Sequence, residues 1–276
     1  MLTASDAWFG YDPRQPALNG VSVEIAPNAV VGILGPNGSG KTTLLRLLAG
    51  TRQPQRGSVT LDGAPLARAS RAVLARRIAV VPQETQLAFD YSVAEVAMMG
   101  RYPHLGAFEI EGPRDIAAVD EALAATGTLA LKTRLFATLS GGEKQRVVIA
   151  SALAQIGSVQ REDPAAETGS RYLLLDEPTA SLDLAYQLEV ATLLRALHDE
   201  RRAGIVISTH DIGLAGTLCD RLVLLRGGTV HAAGATDDVL TPANLRDVFG
   251  VDTEITRHRS GQRVVVPIGR SREARP

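Results

Sequence analysis

The stretch Gly35-Pro36-Asn37-Gly38-Ser39-Gly40-Lys41-Thr42-Thr43 constrains this chain more than any other. Apolar Val30, Val31, Ile33 and Leu34 precede it, and Leu44, Leu45, Leu47 and Leu48 follow at helical spacing. A glycine-rich loop between a buried strand and a helix, running into Gly-Lys-Thr, is the pattern that cradles a nucleotide's phosphates. The glycines let successive backbone N–H groups turn inward, and the helix start adds the positive end of its dipole. In this pattern the Lys41 ammonium reaches the β- and γ-phosphates and the Thr42 hydroxyl coordinates Mg²⁺. Every residue of the stretch, Thr43 included, is read as a nucleotide contact.

Composition narrows the class. At 276 residues and 45 % hydrophobic, the chain has room for one large α/β domain or two small ones. A net charge of −1 gives no reason to expect a nucleic-acid partner. No apolar run approaches the roughly 18 residues needed to cross a bilayer, and the first residues lack a signal peptide's basic region and apolar core. The single cysteine, Cys219, excludes an intramolecular disulfide, fits a reducing compartment and reads as a small buried apolar residue. A cytosolic protein is expected, with any membrane association through a partner.

Periodicity gives the layout. Alternating Val21, Val23 and Ile25 predict a strand over 17–25, and 57–63 reads as a short strand ending in an Asp62-Gly63 turn. Gly50 suits the end of the loop helix. Uncharged apolar runs at 78–81, 172–175, 205–207 and 222–225 suit strands buried on both faces of a parallel sheet. Between them, 93–99, 116–125 and 143–155 carry helical spacing, which predicts a helical subdomain at about 84–155 inserted in a single domain spanning 1–266. The polar stretch 156–171 reads as an exposed loop, 242–249 as a helix, 261–267 as a last strand, and 267–276 as a disordered tail.

Three further groups carry chemistry. Leu173-Leu174-Leu175-Asp176-Glu177 delivers two carboxylates at the C-terminal end of a buried strand, where open α/β sheets bind ligands. Asp176 suits the second shell of Mg²⁺, and Glu177 suits polarising a water for in-line attack on the γ-phosphate. His210, after the apolar run 205–207, reads as a γ-phosphate contact; Gln83, after 78–81, says little alone. In Leu139-Ser140-Gly141-Gly142-Glu143, Ser140 is a natural N-cap with Glu143 three residues on. That is either only a well-capped helix or, with two glycines at a helix start, a second anion site. One phosphate loop with a second phosphate-facing helix start suggests a site shared between two subunits.

The phosphate loop, Gln83, residues 139–143, 173–177, Ser181-Leu182-Asp183 and His210 together resemble the ATP-binding subunits of ABC transporters, over about residues 2 to 266. The resemblance implies an α/β P-loop NTPase (ABC ATPase) core with an antiparallel β subdomain and an inserted helical subdomain. It implies that Tyr11 stacks on the adenine of ATP, with Phe9 a competitor, and that Gln83 senses Mg²⁺ and the attacking water. Asp183 would lie across a head-to-tail homodimer interface, and Ser140, Gly141 and Gly142 would face the γ-phosphate bound in the opposite subunit. Closer likeness is to the ATPases of iron-chelate, haem and cobalamin importers, through Met99-Gly100-Arg101-Tyr102-Pro103-His104, Ser208-Thr209-His210-Asp211 and Phe249-Gly250-Val251-Asp252. That likeness implies polytopic permease subunits docked near residues 98–108, a substrate-binding protein acting indirectly, and a peripheral position on the cytoplasmic side of the inner membrane. Two features depart from the pattern: Glu143 stands where many relatives have glutamine, and 156–171 is longer than usual. The alternatives are a soluble ABC-type ATPase acting in DNA repair or on the ribosome, and a small-molecule kinase, which has no use for residues 139–143.

Overall fold

The apolar run before the glycine loop forms a strand buried along its whole length, and the leucines after the loop form a helix that buries them. The computed structural model describes residues 1–12, 14–157, 169–180, 182–200, 203–259 and 263–271. Outside them lie Ser181, most of the polar loop expected at 156–171, Gly261 and Gln262 of the expected last strand, and residues 272–276 of the expected tail. The chain divides into two compact units, Met1–Ala67 with Val206–Pro276, and Arg68–Ile205.

The first unit opens with β1 (Leu2–Asp12), β2 (Gln15–Ile25), β3 (Val30–Leu34), α1 (Lys41–Leu48), β4 (Arg56–Leu61) and β5 (Ala64–Pro65). The second carries α2 (Arg71–Arg77), β6 (Ile78–Val81), α3 (Val93–Met98), α4 (Pro113–Ala125), α5 (Gly141–Ile156), β7 (Tyr172–Asp176) and α6 (Leu184–Asp199). It ends inside β8 (Gly204–Thr209). The chain returns to the first unit with α7 (Ile212–Leu218), β9 (Arg221–Arg226), β10 (Thr229–Ala235), α8 (Thr236–Val239), α9 (Pro242–Phe249), β11 (Val251–Arg257) and β12 (Arg263–Arg270).

In the first unit, β2, β1, β4 and β5 form an antiparallel sheet in that order, and β10, β9, β3 and β8 lie side by side in another. β3 runs parallel to β9, with Val31 opposite Arg221 and Leu34 opposite Leu224. The two strands are tied at their start by Asp220, whose carboxylate accepts from Val30 N at 2.9 Å while its own N–H donates to Val30 O at 2.9 Å. Gly32 lets a layer close onto β3, since a Cβ there would sit 2.8 Å from both Cys219 Sγ and Leu222 Cδ2. The lone cysteine is therefore a buried packing residue. Gly57 answers a similar need, as a Cβ would lie 2.0 Å from Asp6 O where β4 crosses β1. β12 continues through Arg270, paired with Val251, so residues 267–270 of the expected tail are strand; the ladder to β11 holds them.

In the second unit β6 and β7 are parallel, Ile78 opposite Tyr172 and Val81 opposite Leu175. β7 is wholly buried, whereas β6 exposes Val80, so burial on both faces holds for only one of the pair. The helices α3, α4 and α5 occur where the spacing predicts them, and α5 gathers the others. Residues 99–104 lie directly on α5: a Cβ on Gly100 would meet Ser151 O at 2.1 Å. Arg101 donates through Nε to Asp115 Oδ1 at 3.0 Å and through Nη1 to Ala154 O at 2.7 Å, and both charged partners are only 9 % exposed. The other Asp115 oxygen accepts from Gly112 N at 3.0 Å. His104 Nε2 lies 2.7 Å from Gln155 O, and Gln155 Nε2 donates to Ala75 O and Ile78 O at 2.8 and 3.2 Å.

Burial would raise the Asp115 pKa, but the Gly112 N–H and the Arg101 guanidinium outweigh it and hold the carboxyl below its usual range. A depressed carboxylate stabilises the fold above its unfolded pKa near 4, and that contribution disappears as pH falls through the folded value. Arg101→Ala strands a buried carboxylate, so it should cost roughly 3 kcal/mol in urea melts at neutral pH. The deficit should shrink below about pH 4, where Asp115 protonates. A deficit that ignores pH would assign the loss to packing rather than charge.

Candidate functional site

The phosphate loop is built by close approach. A Cβ on Gly35 would lie 2.4 Å from both Leu225 O and Ser39 Oγ, so only glycine lets the chain leave β3 against β9. Gly38 (φ +78°) and Gly40 (φ +104°) take left-handed conformations that other residues resist. Ser39 N donates to Pro36 O at 3.1 Å, closing the turn. Outside it, Gly228 N donates to Ser39 O at 3.2 Å, and a Cβ on Gly40 would meet Ala17 O at 2.7 Å. The loop thus rests on β2 and on the Gly227-Gly228 turn between β9 and β10.

Inside the loop the donors collect. Lys41, 6 % exposed, opens α1 and donates through Nζ to Gly35 O at 2.9 Å and Pro36 O at 3.4 Å. Among the described residues, Ser39 Oγ is buried without a hydrogen-bond partner and nothing stands within 4 Å of the space a Gly38 side chain would occupy. No acidic residue in the first turn of α1 offsets its positive end. An ammonium, an orphaned hydroxyl and a bare helix start around open space suit a tetrahedral anion. Lys41 and Thr42 begin α1 side by side, as the loop pattern requires.

Two more of the expected residues belong to this unit. Tyr11 is 57 % exposed on β1, while Phe9 is half-buried and meets it edge-on at 5.1 Å. Tyr11 therefore presents the freer ring of the pair. Its hydroxyl accepts from Arg46 Nη1 on α1 at 2.8 Å. Burial alone would raise the phenol's pKa, but the Thr43 hydrogen bond and Arg46 bring it below its usual value. His210 is exposed and directly follows β8, before Asp211 caps α7 by accepting from Leu214 N at 2.9 Å.

The second unit carries the rest. Asp176 is the last, buried residue of β7. Glu177 follows it in a left-handed conformation (φ +47°), uncommon outside glycine, asparagine and aspartate. Gln83 is exposed just after β6 and Pro82. At the start of α5, Ser140 Oγ accepts from Glu143 N at 3.3 Å and Glu143 Oε2 accepts from Ser140 N at 2.8 Å. That bond to the Ser140 N–H is the main reason the Glu143 carboxyl sits below its usual pKa. The departure from glutamine thus completes a capping box. The helix leaves Gly141 and Gly142 N–H without intrahelical acceptors. Asp183 caps α6, accepting from Tyr186 N at 3.1 Å. Ser181 lies outside the described residues.

Sequence reading overlooked the supports: Ala17 and Leu18 behind Gly40, the Gly227-Gly228 turn, Arg46 on Tyr11, and Tyr186 against Gly142. Only the paired glycines between two apolar runs were a readable signal, as a hairpin turn.

The family described as ABC transporter matches residues 18–180. The hemin import ATP-binding protein of Gloeobacter violaceus is 44 % identical over 260 residues, which are 94 % of this chain and 91 % of that protein. The cobalamin import ATP-binding protein of Halobacterium salinarum is 40 % identical over 91 % of this chain and 60 % of its own length. Among solved structures, a chain of an inward-facing ABC transporter assigned to the metal-chelate type superposes with a TM-score of 0.81 at 27 % identity, covering 97 % of this chain and 96 % of that one. A dimeric bacterial ABC transporter cassette gives 0.70 at 26 % identity, covering 86 % and 99 %. The fold is the α/β P-loop NTPase fold of these cassettes. With more than half its residues matched to that family, and a relative 44 % identical along nearly its whole length, this chain belongs to the ABC transporter family as an ATP-binding subunit that hydrolyses ATP.

Proposed function

We propose that this subunit powers import of an iron chelate, haem or cobalamin, working as a head-to-tail homodimer beneath polytopic permease subunits on the cytoplasmic side of the inner membrane. A substrate-binding protein would deliver the cargo to the permease. The observation that carries this reading is the capped, glycine-paired start of α5: a second set of bare amides at a helix start. The hemin and cobalamin import relatives support the cargo class, and the dimeric cassette supports the pairing.

In this reading residues 35–43 bind the phosphates, Lys41 shifting from the loop carbonyls to phosphate oxygens as they arrive. Tyr11 stacks on adenine. Ser140, Gly141 and Gly142 of one copy face the γ-phosphate held by the other, with Asp183 beside the interface. Glu177 takes the proton of the attacking water, Gln83 orients that water, and His210 contacts the γ-phosphate. Among the described residues no cluster of three His, Cys, Asp or Glu could hold a metal alone. For Mg²⁺, which keeps several waters and favours phosphate oxygens, the proposed residues are Thr42, Asp176 and Gln83. Bound there, it would neutralise phosphate charge. ATP binds the closed dimer better than the open one, so it shifts a permease whose two conformations prefer one or the other. Exposed Tyr102 and Phe108, within residues 98–108, are the side chains proposed to meet the permease.

Glu177→Gln should keep ATP bound and the dimer closed while turnover falls to background; normal turnover would remove Glu177 as the base. Lys41→Ala should lose nucleotide affinity itself, read with a fluorescent ATP analogue. Ser140→Arg should block hydrolysis in a folded monomer, and mixing it with Lys41→Ala should restore partial activity, because each shared site draws on both copies. Full activity in the mixture would contradict sharing. Reconstitution with the permease, screened against haem, siderophores and cobalamin for stimulated ATPase, tests the cargo; recovery with ribosomes or DNA in place of a membrane protein would overturn the importer reading.

A further inference from the structure

Gly142 has a specific reason to be glycine. A Cβ there would lie 2.2 Å from Tyr186 Cδ1 and 2.5 Å from Cγ, so the tyrosine ring occupies the space a side chain would take. Its neighbour Gly141 is backed by Leu182, whose Cδ2 is 3.4 Å from the equivalent point. Both backing residues belong to the turn and first helical turn around Asp183. That segment is braced: Asp183 accepts from Tyr186 N at 3.1 Å, and Gln187 Nε2 donates to Leu182 O at 3.0 Å and Thr179 O at 3.3 Å. One turn further on, Arg146 on α5 pairs with Glu189 on α6 at 3.4 Å. The tyrosine ring thus walls one side of the glycines at the start of α5, while the capping box secures Ser140 and Glu143.

We propose that Tyr186 is a positioning residue for the shared site: its ring sets the height and direction of the Gly141 and Gly142 amides that receive the other copy's γ-phosphate. The inference rests on the shared-site reading. It requires the ring and not the hydroxyl, because the contact to Gly142 is made by ring carbons.

The test uses full-length chains carrying Glu177→Gln, with ATP-driven dimerisation followed by light scattering and ATP affinity of the monomer by a fluorescent analogue. Tyr186→Ala should need at least about tenfold more ATP for half-dimerisation, the scale expected when a binding group is misplaced by a fraction of its own size. Monomer affinity should not change, because that belongs to residues 35–43. Tyr186→Phe should behave as the parent. A merely structural role would lower monomer affinity or melting temperature in step with dimerisation, and that outcome overturns the proposal. So does Tyr186→Ala dimerising like the parent, or Tyr186→Phe failing as badly as Tyr186→Ala. If Tyr186→Ala does not fold, Tyr186→Leu carries the same expectation, since it fills space without a flat face. A parent that never dimerises on ATP would overturn the shared-site reading itself, before any Tyr186 variant is compared.

Discussion

Backbone amides can hold a phosphate only where the chain curls tightly enough to aim several of them at one point, and curling needs room that side chains would take. At Gly35 that room is absent for any other residue, with Leu225 O and Ser39 Oγ each 2.4 Å from where a Cβ would stand. The same close approach that forces glycine also clamps the loop from outside, through β9, the Gly227-Gly228 turn and Ala17. Rigidity matters because the amides stabilise charge only if they do not have to reorient when it arrives. Gly32 under Cys219 and Asp220 at the start of β3 serve this end at one remove, by keeping β3 and β9 in register. Lys41 completes the cradle. Its buried ammonium is tolerated because loop carbonyls hold it, and those carbonyls are weaker partners than a phosphate.

In the second unit α5 plays the corresponding part. It spans 16 residues, about 24 Å at 1.5 Å per residue. A helix start leaves amides unsatisfied and its end leaves carbonyls unsatisfied. The chain treats the two ends differently. At the end, Arg101 and His104 take the Ala154 and Gln155 carbonyls, a cation and an imidazole against the negative end of the dipole. At the start, Ser140 and Glu143 satisfy each other and the glycine amides are left for something else. One end is closed by the stretch proposed to meet the permease, the other opens toward the proposed γ-phosphate. A helix held at both ends suits the coupling of transport to hydrolysis proposed above.

Local chemistry was legible in the sequence because it depends on short spacings. The loop glycines, the capping pair Ser140 and Glu143, and the carboxylates after an apolar strand each declare themselves within a few residues. So did Gly50, which stands just past α1 at φ +69°. What escaped was set by distant chain. β1 was not expected as a strand, because register shifts between Ala4 and Asp12 spoil the alternation that marks one. β11 and the end of β12 hold each other by ladder bonds across a hairpin, so composition alone put residues 267–270 in a tail. The pairing of Arg101 with Asp115 was not read from the sequence, because only the fold brings the two charges together and buries them. Tyr186 had no signal at all: nothing in Leu184-Ala185-Tyr186-Gln187 says its ring will fill the space beside Gly142, more than forty residues earlier.

Strain separates what folding needs from what the site needs. Among the described residues, the non-glycine residues with positive φ are Asp6, Asp62, Phe108 and Glu177. Aspartate tolerates that region, and Asp62 sits in a hairpin turn that calls for it. Glutamate and phenylalanine do not gain from it, and each such residue costs on the order of 1–3 kcal/mol. Glycine at either position would remove the strain, so the side chain must be what the position keeps. For Glu177 that is a carboxylate one residue beyond the buried Asp176, where the proposed base is required. For Phe108 the ring is fully exposed, and none of the described residues packs over it. A large apolar side chain held out in a strained conformation, inside the segment proposed to meet the permease, is what an interface would maintain and a solitary subunit would not.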